Sequence, residues 1–377
     1  MNKNVNNSYW ELKQYFNEND LIVVGGGIVG LTTALQFKLK NKKANVLILE
    51  RGLFPNGAST KNAGFACFGS ATELFDDLSK SDEQTVFETV EMRWKGLQLL
   101  LKTLGSKNIR FIACGGYEVF NSLQELHFIE DKLVFLNKKI KETIGLDNTF
   151  KKKKLDFFNP KLIKGLVINQ HEGQIDTGLM MESLLQLAIS NGVKLLNGVD
   201  VSKTSDALNG VELQTNVGVF KAKKVVIATN GFVKDLIPLK DVLPARAQVL
   251  ITKPIKNLKL KGCFHYDKGY YYFRNIDNRI LLGGGRNLDF EGETISAFQL
   301  NSLIQNKLDE MLKNIIIENI PHEIEHRWCG IMGVGSEKKP IIQFYSNNIL
   351  LAVRMGGMGV AIGSLVGKIA AEKIAKT

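Results

Sequence analysis

Apolar residues recur along this chain with two periods, one typical of buried strands and one typical of helices. Leu21–Val24 and Val46–Leu49 are continuous apolar runs, which indicate strands buried on both faces of a parallel sheet. Between them, from about Ile28 to Lys40, apolar residues recur every three or four positions, as in a helix that packs on such a sheet. We therefore predict a strand–helix–strand unit over residues 20–50.

The rest of the chain alternates helical stretches with short runs of strand character. Further helices are predicted at about 72–80, 82–104, 122–144 and 293–315, and after Asp176-Thr177 as far as Asn191-Gly192. Strands are predicted at 109–113, 117–120, 225–228, 248–252, 269–274 and 279–283, with Asp277-Asn278 as a hairpin turn. An α/β beginning, an antiparallel middle and a return to α/β predict two domains interleaved in sequence.

A glycine-rich turn joins the first strand to the first helix. Gly25 permits the tight turn, Gly27 lets the backbone approach a pyrophosphate, and Gly30 lets the helix pack closely on the strand. Glu50, at the end of the second strand, is placed to accept hydrogen bonds from ribose hydroxyls. The strand, the turn, the helix and the acid at this spacing indicate a site for the ADP half of a dinucleotide. They do not separate NAD from FAD.

Composition and charge narrow the class of protein. The 377 residues carry 49 Lys+Arg against 38 Asp+Glu, a net charge of +11 that is spread along the chain. Without arginine stripes or interleaved aromatics this excess is typical of a solvated surface, so we do not expect a nucleic-acid partner. Four cysteines without a CxxC pair and a polar N-terminus without a signal-peptide core predict reduced thiols in a cytoplasmic protein.

Three further segments carry a family resemblance. They are the small-residue loop Ser59–Phe65, the strand and turn Val225–Gly231, and the strand and glycine-rich helix start Leu350–Gly363. With the N-terminal motif they resemble the D-amino-acid-oxidase-like (DAO) family of FAD-dependent oxidoreductases, in its glycine oxidase and γ-glutamylputrescine oxidase-like branch. The resemblance implies an α/β fold with a discontinuous Rossmann-type FAD-binding domain (GR2-type) and an α+β substrate domain built on an antiparallel sheet. The predicted boundaries are 1–80, 155–228 and 330–377 for the FAD-binding domain, and 81–154 and 229–329 for the substrate domain.

The resemblance also implies which residues hold FAD. The amides of Ile28 and Val29 would meet the pyrophosphate, and the helix start after Met355 would stabilise negative charge at the flavin N1–C2=O edge. The expected cofactor residues are Gly25, Gly27, Ile28, Val29, Gly30, Glu50, Arg51, Ser59, Ala63, Gly64, Phe65, Val199, Met355, Gly356, Gly357, Met358, Gly359 and Val360. The family's covalent flavin cysteine aligns with Gly330, one residue from Cys329, so we expect non-covalent FAD, because neighbouring side chains on a strand point to opposite faces.

Candidate substrate residues follow from the predicted strands. Tyr270, Tyr272 and Arg274 alternate and so share a face, and Arg286 follows the next strand. An arginine beside tyrosines suits a carboxylate. We therefore predict Tyr272, Arg274, Arg286 and Arg354 as catalytic or substrate-anchoring residues.

Two family features are replaced in this chain. The carboxylate-clamping arginine of the family's glycine oxidases aligns with Met332, and the oxygen-activating lysine of its sarcosine oxidases aligns with Leu281. Because of these replacements, the resemblance does not predict which substrate is oxidised or which electron acceptor reoxidises the flavin.

Three patterns point to other functions and are set aside. His322–His326 matches the zinc-protease letters HExxH, but alternation predicts a strand there, whose ends lie about 13 Å apart, so we expect no metal. The Lys151–Lys154 run and His171-Glu172 are interpreted as solvated surface. The apolar segment 349–371 is long enough to suggest a membrane span, but Arg354 and Gly356-Gly357 break it into strand and helix.

The leading hypothesis is oxidation of the C–N bond of an amino acid or related amine by hydride transfer to flavin N5. Oxygen or another acceptor would reoxidise the flavin. One alternative is a quinone-linked D-amino-acid dehydrogenase at the inner face of the membrane. Others are a flavoprotein that modifies the wobble uridine of tRNA and a flavin-binding module without activity.

Overall fold

The computed structural model describes residues 7–154, 157–318 and 320–376, and two eight-stranded sheets form its frame. The strands are β1 (Asn19–Val24), β2 (Val46–Glu50), β3 (Phe65–Ala66), β4 (Gly116–Phe120), β5 (Phe150–Lys153), β6 (Gly165–Asn169), β7 (Gly173–Gln174), β8 (Lys194–Asn197), β9 (Val201–Ala207), β10 (Gly210–Thr215), β11 (Gly218–Ile227), β12 (Leu243–Thr252), β13 (Cys263–Tyr266), β14 (Tyr271–Ile276), β15 (Arg279–Gly284), β16 (Ile324–Val334), β17 (Ile341–Phe344) and β18 (Ile349–Val353).

Nine α-helices surround the sheets within the described residues. They are α1 (Tyr9–Glu11), α2 (Ile28–Lys40), α3 (Ala58–Lys61), α4 (Ala71–Leu78), α5 (Glu83–Leu104), α6 (Leu123–Ile144), α7 (Thr177–Ser190), α8 (Ser302–Met311) and α9 (Gly359–Ile374). Helices α1 and α8 continue as the π-helical segments Leu12–Phe16 and Leu312–Ile316, and 3-10 turns cover Asn230–Asp235 and Arg286–Leu288.

The first sheet has the order β17-β18-β11-β1-β2-β8, and its central pairs are parallel. Alternate residues of β1 face opposite sides, as strand geometry requires. Leu21 and Val23 pack toward α2, α7 and α9, whereas Ile22 and Val24 pack toward the β9–β11 side. Both faces are therefore covered, which explains the continuous apolar runs in β1 and β2.

The second sheet has the order β16-β12-β15-β14-β13-β4-β6-β5 and is antiparallel except for the β13–β4 pair. The β14–β15 hairpin turns at Asp277 and Asn278, whose φ values of 46° and 58° are those of a primed two-residue turn. One sheet face and helix α8 enclose a core of apolar side chains around Phe264 and Phe273. The other face looks toward the carboxyl ends of the first sheet's parallel strands.

Most of the predicted elements are confirmed, and two are wrong in informative ways. Residues 109–113 do not form a strand, because only Ile112 makes a single bridge, to Gln174. The helix predicted at 293–315 begins only at Ser302, where the Asn301 side chain caps it. The segment before it is held in an irregular conformation by Glu293, which is completely buried and pairs with Arg246.

The predicted fold class is confirmed, with a parallel α/β sheet and a largely antiparallel second sheet. The chain crosses between the sheets repeatedly, and both β6 and the whole of β16 belong to the second one. The domain boundaries themselves stay a prediction. Within residues 7–154, 157–318 and 320–376, no helix combines the length and the apolar character needed to cross a membrane.

Candidate functional site

A cavity of about 910 Å³ lies between the two sheets. It begins at the carboxyl ends of β1 and β2, where Gly25 and Glu50 line it, and extends to the face of the second sheet at Val249 and Tyr272. Ligand sites in open α/β sheets lie at the carboxyl ends of strands. The size is at the upper end of about 300–1,000 Å³ that is usual for ligand cavities, as a long ligand requires.

The glycine turn is built for close backbone approach. Gly25 has φ +106°, a conformation that residues with a Cβ rarely adopt. A Cβ on Gly30 would lie 1.9 Å from the Gly25 carbonyl oxygen, and one on Gly27 would lie 2.7 Å from Ser59 Oγ. Helix α2 starts at Ile28, whose amide donates to Ser59 Oγ at 3.0 Å. Ile28 and Val29 line the cavity, where a helix N-terminus favours an anion.

Glu50 is positioned by the turn that it faces. Its carboxylate accepts hydrogen bonds from the amides of Gly26 (2.8 Å) and Gly52 (3.0 Å), and it lines the cavity while only 8% exposed. Arg51 lies beside it, with its guanidinium 4.6 Å from the Phe232 ring. Val199 lines the same end of the cavity.

The middle of the cavity is formed by two segments far apart in sequence. The loop containing Ser59, Ala63 and Phe65 lies on one side, and Met355–Ala361 lies on another. Asn230 holds the second segment in place, because its side-chain oxygen accepts hydrogen bonds from the amides of Arg354 (3.1 Å) and Met355 (3.2 Å). Sequence reasoning missed this role of Asn230, although its turn had been noticed.

Most of the predicted cofactor residues line this cavity. Two exceptions have structural reasons: Gly30 packs against the glycine turn, and Gly64 packs against the Arg274 guanidinium. The lining residues among those predicted are Gly25, Gly27, Ile28, Val29, Glu50, Arg51, Ser59, Ala63, Phe65, Val199, Met355, Gly356, Gly357, Met358, Gly359 and Val360.

A row of paired residues crosses the second sheet, and three of them, His265, Tyr272 and Val249, line the cavity. Paired residues in neighbouring strands point to the same side, and the pairing connects Glu118, His265, Tyr272, Gly283, Val249 and Trp328 in that order. The Tyr272 ring lies over Gly283, where a Cβ would be only 2.5 Å from the ring. Burial raises the pKa of the Tyr272 phenol to about 12, so the phenol remains a hydrogen-bond donor.

The four predicted substrate residues lie in different places. Tyr272 and Arg286 line the cavity, and the Arg286 guanidinium lies 5.0 Å from the Phe290 ring centre. Arg274 is buried behind the Ala63–Phe65 loop, and Arg354 pairs with Asp241. Among the described residues, neither of these two arginines lines the cavity.

A charged cluster closes the end of the cavity near α4. Lys338 Nζ lies 3.0 Å from Glu73 and 2.7 Å from Asp77, and Arg93 lies 3.6 Å from Glu73. Burial alone would raise the pKa of Glu73, but the charges of Lys338 and Arg93 outweigh it and lower the pKa to about 2. Glu73 is therefore a fixed negative charge at the cavity wall.

Glu172 is not solvated surface, contrary to the sequence interpretation. Its side chain is completely buried, and one oxygen lies 3.2 Å from His265 Nε2. The interpretation failed because the pairing joins residues 93 positions apart, which only the sheet register brings together. His265 lines the cavity and was also missed, since a single histidine in an apolar strand carries no local signal.

One group of three potential metal-ligating side chains occurs among the described residues: Cys67, Glu172 and His265, within 4.8 Å of one another. Both oxygens of Glu172 already lie at hydrogen-bond distance from protein donors. Hydrogen bonding therefore accounts for the Glu172–His265 pair, while Cys67 Sγ lies 4.0 Å from Met358 Sδ. The HExxH letters begin before β16 and end in its first residues, where His326 is exposed.

Comparison with known proteins gives a consistent result. The profile of the FAD dependent oxidoreductase family (DAO) matches residues 20–373. The probable oxidoreductase OrdL of Haemophilus influenzae is 23% identical over 373 residues, which cover 94% of this chain and 82% of that protein. The gamma-glutamylputrescine oxidoreductase of Escherichia coli is 25% identical over 380 residues, covering 94% of this chain and 83% of that protein.

A solved structure has the same fold. The crystal structure of glycine oxidase from Geobacillus kaustophilus superposes with a TM-score of 0.76, covering 96% of this chain and 95% of that one. The sequence identity is 19%, so the likeness is one of fold.

Proposed function

This chain belongs to the DAO family of FAD-dependent oxidoreductases, as its motifs predicted, and we propose that it oxidises the C–N bond of an amino acid or a related amine. The observation that carries the proposal is the continuity of the cavity. One end has the glycine turn and Glu50, and the other has a sheet face with Tyr272 and a charged wall. A nucleotide and a small polar substrate therefore share one space.

FAD is the cofactor, and the residues present fit it. Gly25 makes the turn at positive φ, Gly30 lets α2 pack on that turn, and the missing Cβ of Gly27 lets a pyrophosphate approach the start of α2. Glu50 would accept hydrogen bonds from the hydroxyls of the adenosine ribose. The N-terminus of α9, with the amides of Gly359 and Val360, would face the flavin N1–C2=O edge, where reduction places negative charge.

We infer that FAD is held non-covalently. Gly330 lines the cavity at the place of the family's covalent cysteine, and Cys329 is directed to the opposite side of β16, toward Arg246 and Glu293. Burial raises the pKa of the Cys329 thiol, which disfavours the thiolate that would attack a flavin.

The chain's own residues would bind and orient the substrate. When bound, FAD accepts a hydride at N5 from the carbon next to the substrate nitrogen. The Tyr272 phenol, held over Gly283, and Arg286 are placed to bind a carboxylate or another polar group of the substrate. Arg274 and Arg354, also predicted at the site, would act indirectly, by supporting the Ala63–Phe65 loop and the turn before α9. The apolar walls from Val249, Phe65 and Met332 exclude water from the reacting atoms.

A panel reaction tests the proposal. Holoenzyme is mixed without oxygen with D- and L-amino acids, N-methyl amino acids and polyamines, and the visible absorption of the flavin is followed. At least one substrate class should bleach it and release a carbonyl product after hydrolysis of the imine. Flavin that stays oxidised with the whole panel, while dithionite still reduces it, would reject the proposal.

Exposed apolar side chains near the cavity favour quinone as a second candidate acceptor. Phe290 and Phe298 line the cavity and are 46% and 43% exposed, and Leu288 and Leu300 beside them are also exposed. Such a patch suits an apolar acceptor or a membrane surface. Reoxidation by a soluble quinone that is much faster than by oxygen, without peroxide, would support the dehydrogenase alternative. Rapid peroxide formation would support an oxidase.

A further inference from the structure

We propose that His265 is the base that removes a proton from the substrate ammonium group, and that Glu172 is the residue that positions it. The inference rests on the proposed amine oxidation. A protonated amine has no lone pair to assist loss of hydride from the neighbouring carbon, so the nitrogen must be neutral when the C–N bond is oxidised. A group in the cavity that takes this proton would allow the enzyme to oxidise a substrate that binds in its ammonium form.

Glu172 occupies a site constructed for a carboxylate. The side chain is completely buried, and one oxygen accepts three N–H hydrogen bonds. The donors are the amides of Phe68 and Gly69, each at 3.1 Å, and Asn169 Nδ2 at 3.2 Å. The second oxygen is left for His265 Nε2 at 3.2 Å.

Gly116 makes this arrangement possible. A Cβ at Gly116 would lie 1.9 Å from Glu172 Oε2, so any other residue would displace the carboxylate. Gly116 has ordinary strand geometry. Glycine is therefore needed at this position only because a Cβ would not fit.

The pairing fixes the tautomer of His265. A carboxylate oxygen without a proton can only accept, so the imidazole donates from Nε2. Neutral His265 therefore carries its lone pair on Nδ1, the same logic by which a buried carboxylate orients the histidine of a catalytic triad.

Nδ1 is open to the cavity. His265 lines the cavity, and within the described residues Nδ1 has no hydrogen-bond partner and is not among the fully buried unsatisfied atoms. His265 pairs with Tyr272 in the β13–β14 register, so both side chains project to the cavity side. The Phe65 ring contacts both, with centroid distances of 5.3 Å and 5.6 Å.

The charges around His265 suit a cationic substrate. Burial lowers the pKa of His265, but the hydrogen bond and charge of Glu172, with Glu118 and Glu73, outweigh it and raise the pKa above its ordinary value. Burial raises the pKa of the Glu118 carboxyl and of the Cys67 thiol. Beside this group, Lys338 pairs with Glu73 and Asp77, and Arg93 pairs with Glu73. Asp76, Lys80 and Lys268 also line the cavity.

The proposed step is a single proton transfer. The N–H bond of the ammonium group breaks, its electron pair stays on nitrogen, and a new N–H bond forms at His265 Nδ1. The positive charge moves from the substrate to the imidazolium, where Glu172 stabilises it. No oxidant or further reactant takes part in this step.

The first test needs no substrate. In holoenzyme labelled with ¹⁵N-histidine, long-range ¹H–¹⁵N NMR identifies the protonated ring nitrogen of the five histidines, with His265→Gln as the assignment control. We expect neutral His265 to be the Nε2–H tautomer, with a pKa that falls in Glu172→Gln because the carboxylate charge is lost. An Nδ1–H tautomer, or a pKa unchanged by Glu172→Gln, would overturn the proposal.

The second test is the pH dependence of flavin reduction by an amine identified in the panel. The rate in the wild type should rise with pH through the pKa of His265. Glu172→Gln should shift this rise to lower pH. His265→Gln should lose about 100-fold or more at neutral pH, recover toward high pH where the free amine is neutral, and be partly rescued by added imidazole.

Controls separate this inference from the proposed function. His127→Gln, at an exposed position of α6, should keep the wild-type profile, and bound flavin and the thermal midpoint report folding of each variant. A wild-type rate and profile in folded His265→Gln would overturn the role of His265 and leave amine oxidation intact. Failure of every amine to reduce the wild-type flavin would instead reject the proposed function, and the NMR tautomer would still be measured.

Discussion

Glu50 joins two parts of the nucleotide end of the cavity. Its carboxylate bridges the amide of Gly26 in the glycine turn and that of Gly52 beyond β2. In Glu50→Gln the side-chain NH2 group would face one of these backbone N–H groups. The negative charge next to the expected ribose position would also be lost. We expect the dissociation constant for FAD to increase about tenfold or more, since a lost charged hydrogen bond costs about 1–3 kcal/mol.

Flavin fluorescence during titration of apoprotein measures this change. Glu212→Gln, which removes a surface ion pair with Lys221, is the matched control and should bind FAD as the wild type does. Equal affinity in the Glu50 and Glu212 variants would contradict the assigned role.

Arg286 is the predicted arginine whose guanidinium lines the cavity. Within the part of the chain that the structure describes, its Nε has no hydrogen-bond partner, and Nη2 donates to Thr294 Oγ1 at 3.2 Å. We expect Arg286→Ala to raise KM for a carboxylate-bearing substrate about tenfold, with FAD affinity unchanged. Steady-state kinetics measures the change in KM. The control is Arg279→Ala, which removes an outward-facing ion pair with Glu325. An unchanged KM would remove Arg286 from the substrate site.

The lowered pKa of Glu73 should make the stability of the protein depend on pH in the acid range. Its pKa in the folded protein is about 2, below the ordinary value of a glutamate, so it contributes stability that is fully present above about pH 4.5. This contribution is lost as the pH falls from there toward 2. The free energy of unfolding in urea should therefore decrease less steeply between pH 5 and pH 3 in Glu73→Gln than in the wild type. If the free energy of unfolding fell equally steeply with pH in the wild type and in Glu73→Gln, the Lys338–Glu73 pair would not be stabilising.

Helices α2 and α9 pack closely enough to require glycine at the contact. A Cβ on Gly367 would lie 2.7 Å from Thr32 Cβ and 2.8 Å from the Val29 carbonyl oxygen. We expect Gly367→Ala to destabilise the protein by about 1–3 kcal/mol, as overpacking does, and to weaken FAD binding, since α2 begins at the proposed pyrophosphate site. Gly57→Ala, where nothing lies within 4 Å of the added Cβ, should leave the unfolding temperature nearly unchanged.

Elements with a strong local pattern could be predicted from the sequence. Helix α2 was predicted with its observed bounds, because the glycine turn starts it and the apolar period continues through it. The Asp277-Asn278 turn was predicted because both residues tolerate positive φ. By contrast, residues 293–301 have helical composition but form no helix, because burial of Glu293 against Arg246 determines their conformation.

The site was predictable where its residues belong to one local motif. The glycine turn, Glu50 and the Met355–Val360 segment line the cavity as expected. The His265–Glu172 pair could not be found from the sequence, since it depends on the register of β4, β13 and the loop before β7. For Arg274 the strand and face were predictable, but the loop that covers it was not.

At the scale of the whole molecule, the two sheets supply different parts of the chemistry. The parallel sheet presents strand ends and helix N-termini, which suit phosphates and an anionic flavin edge. The antiparallel sheet presents a rigid row of side chains, which suits orientation of a substrate. A cofactor that spans the cavity connects the two, so binding of FAD should raise the unfolding temperature by stabilising both sheets together.

The central claim is that one FAD molecule lies along this cavity, and a crystal structure of the protein with FAD tests it most directly. The ADP portion should lie at Gly25–Gly30 with the ribose at Glu50. The flavin ring should lie between Met355–Ala361 and the sheet row that contains Tyr272 and His265. FAD bound elsewhere, or a ring directed away from that row, would contradict the account.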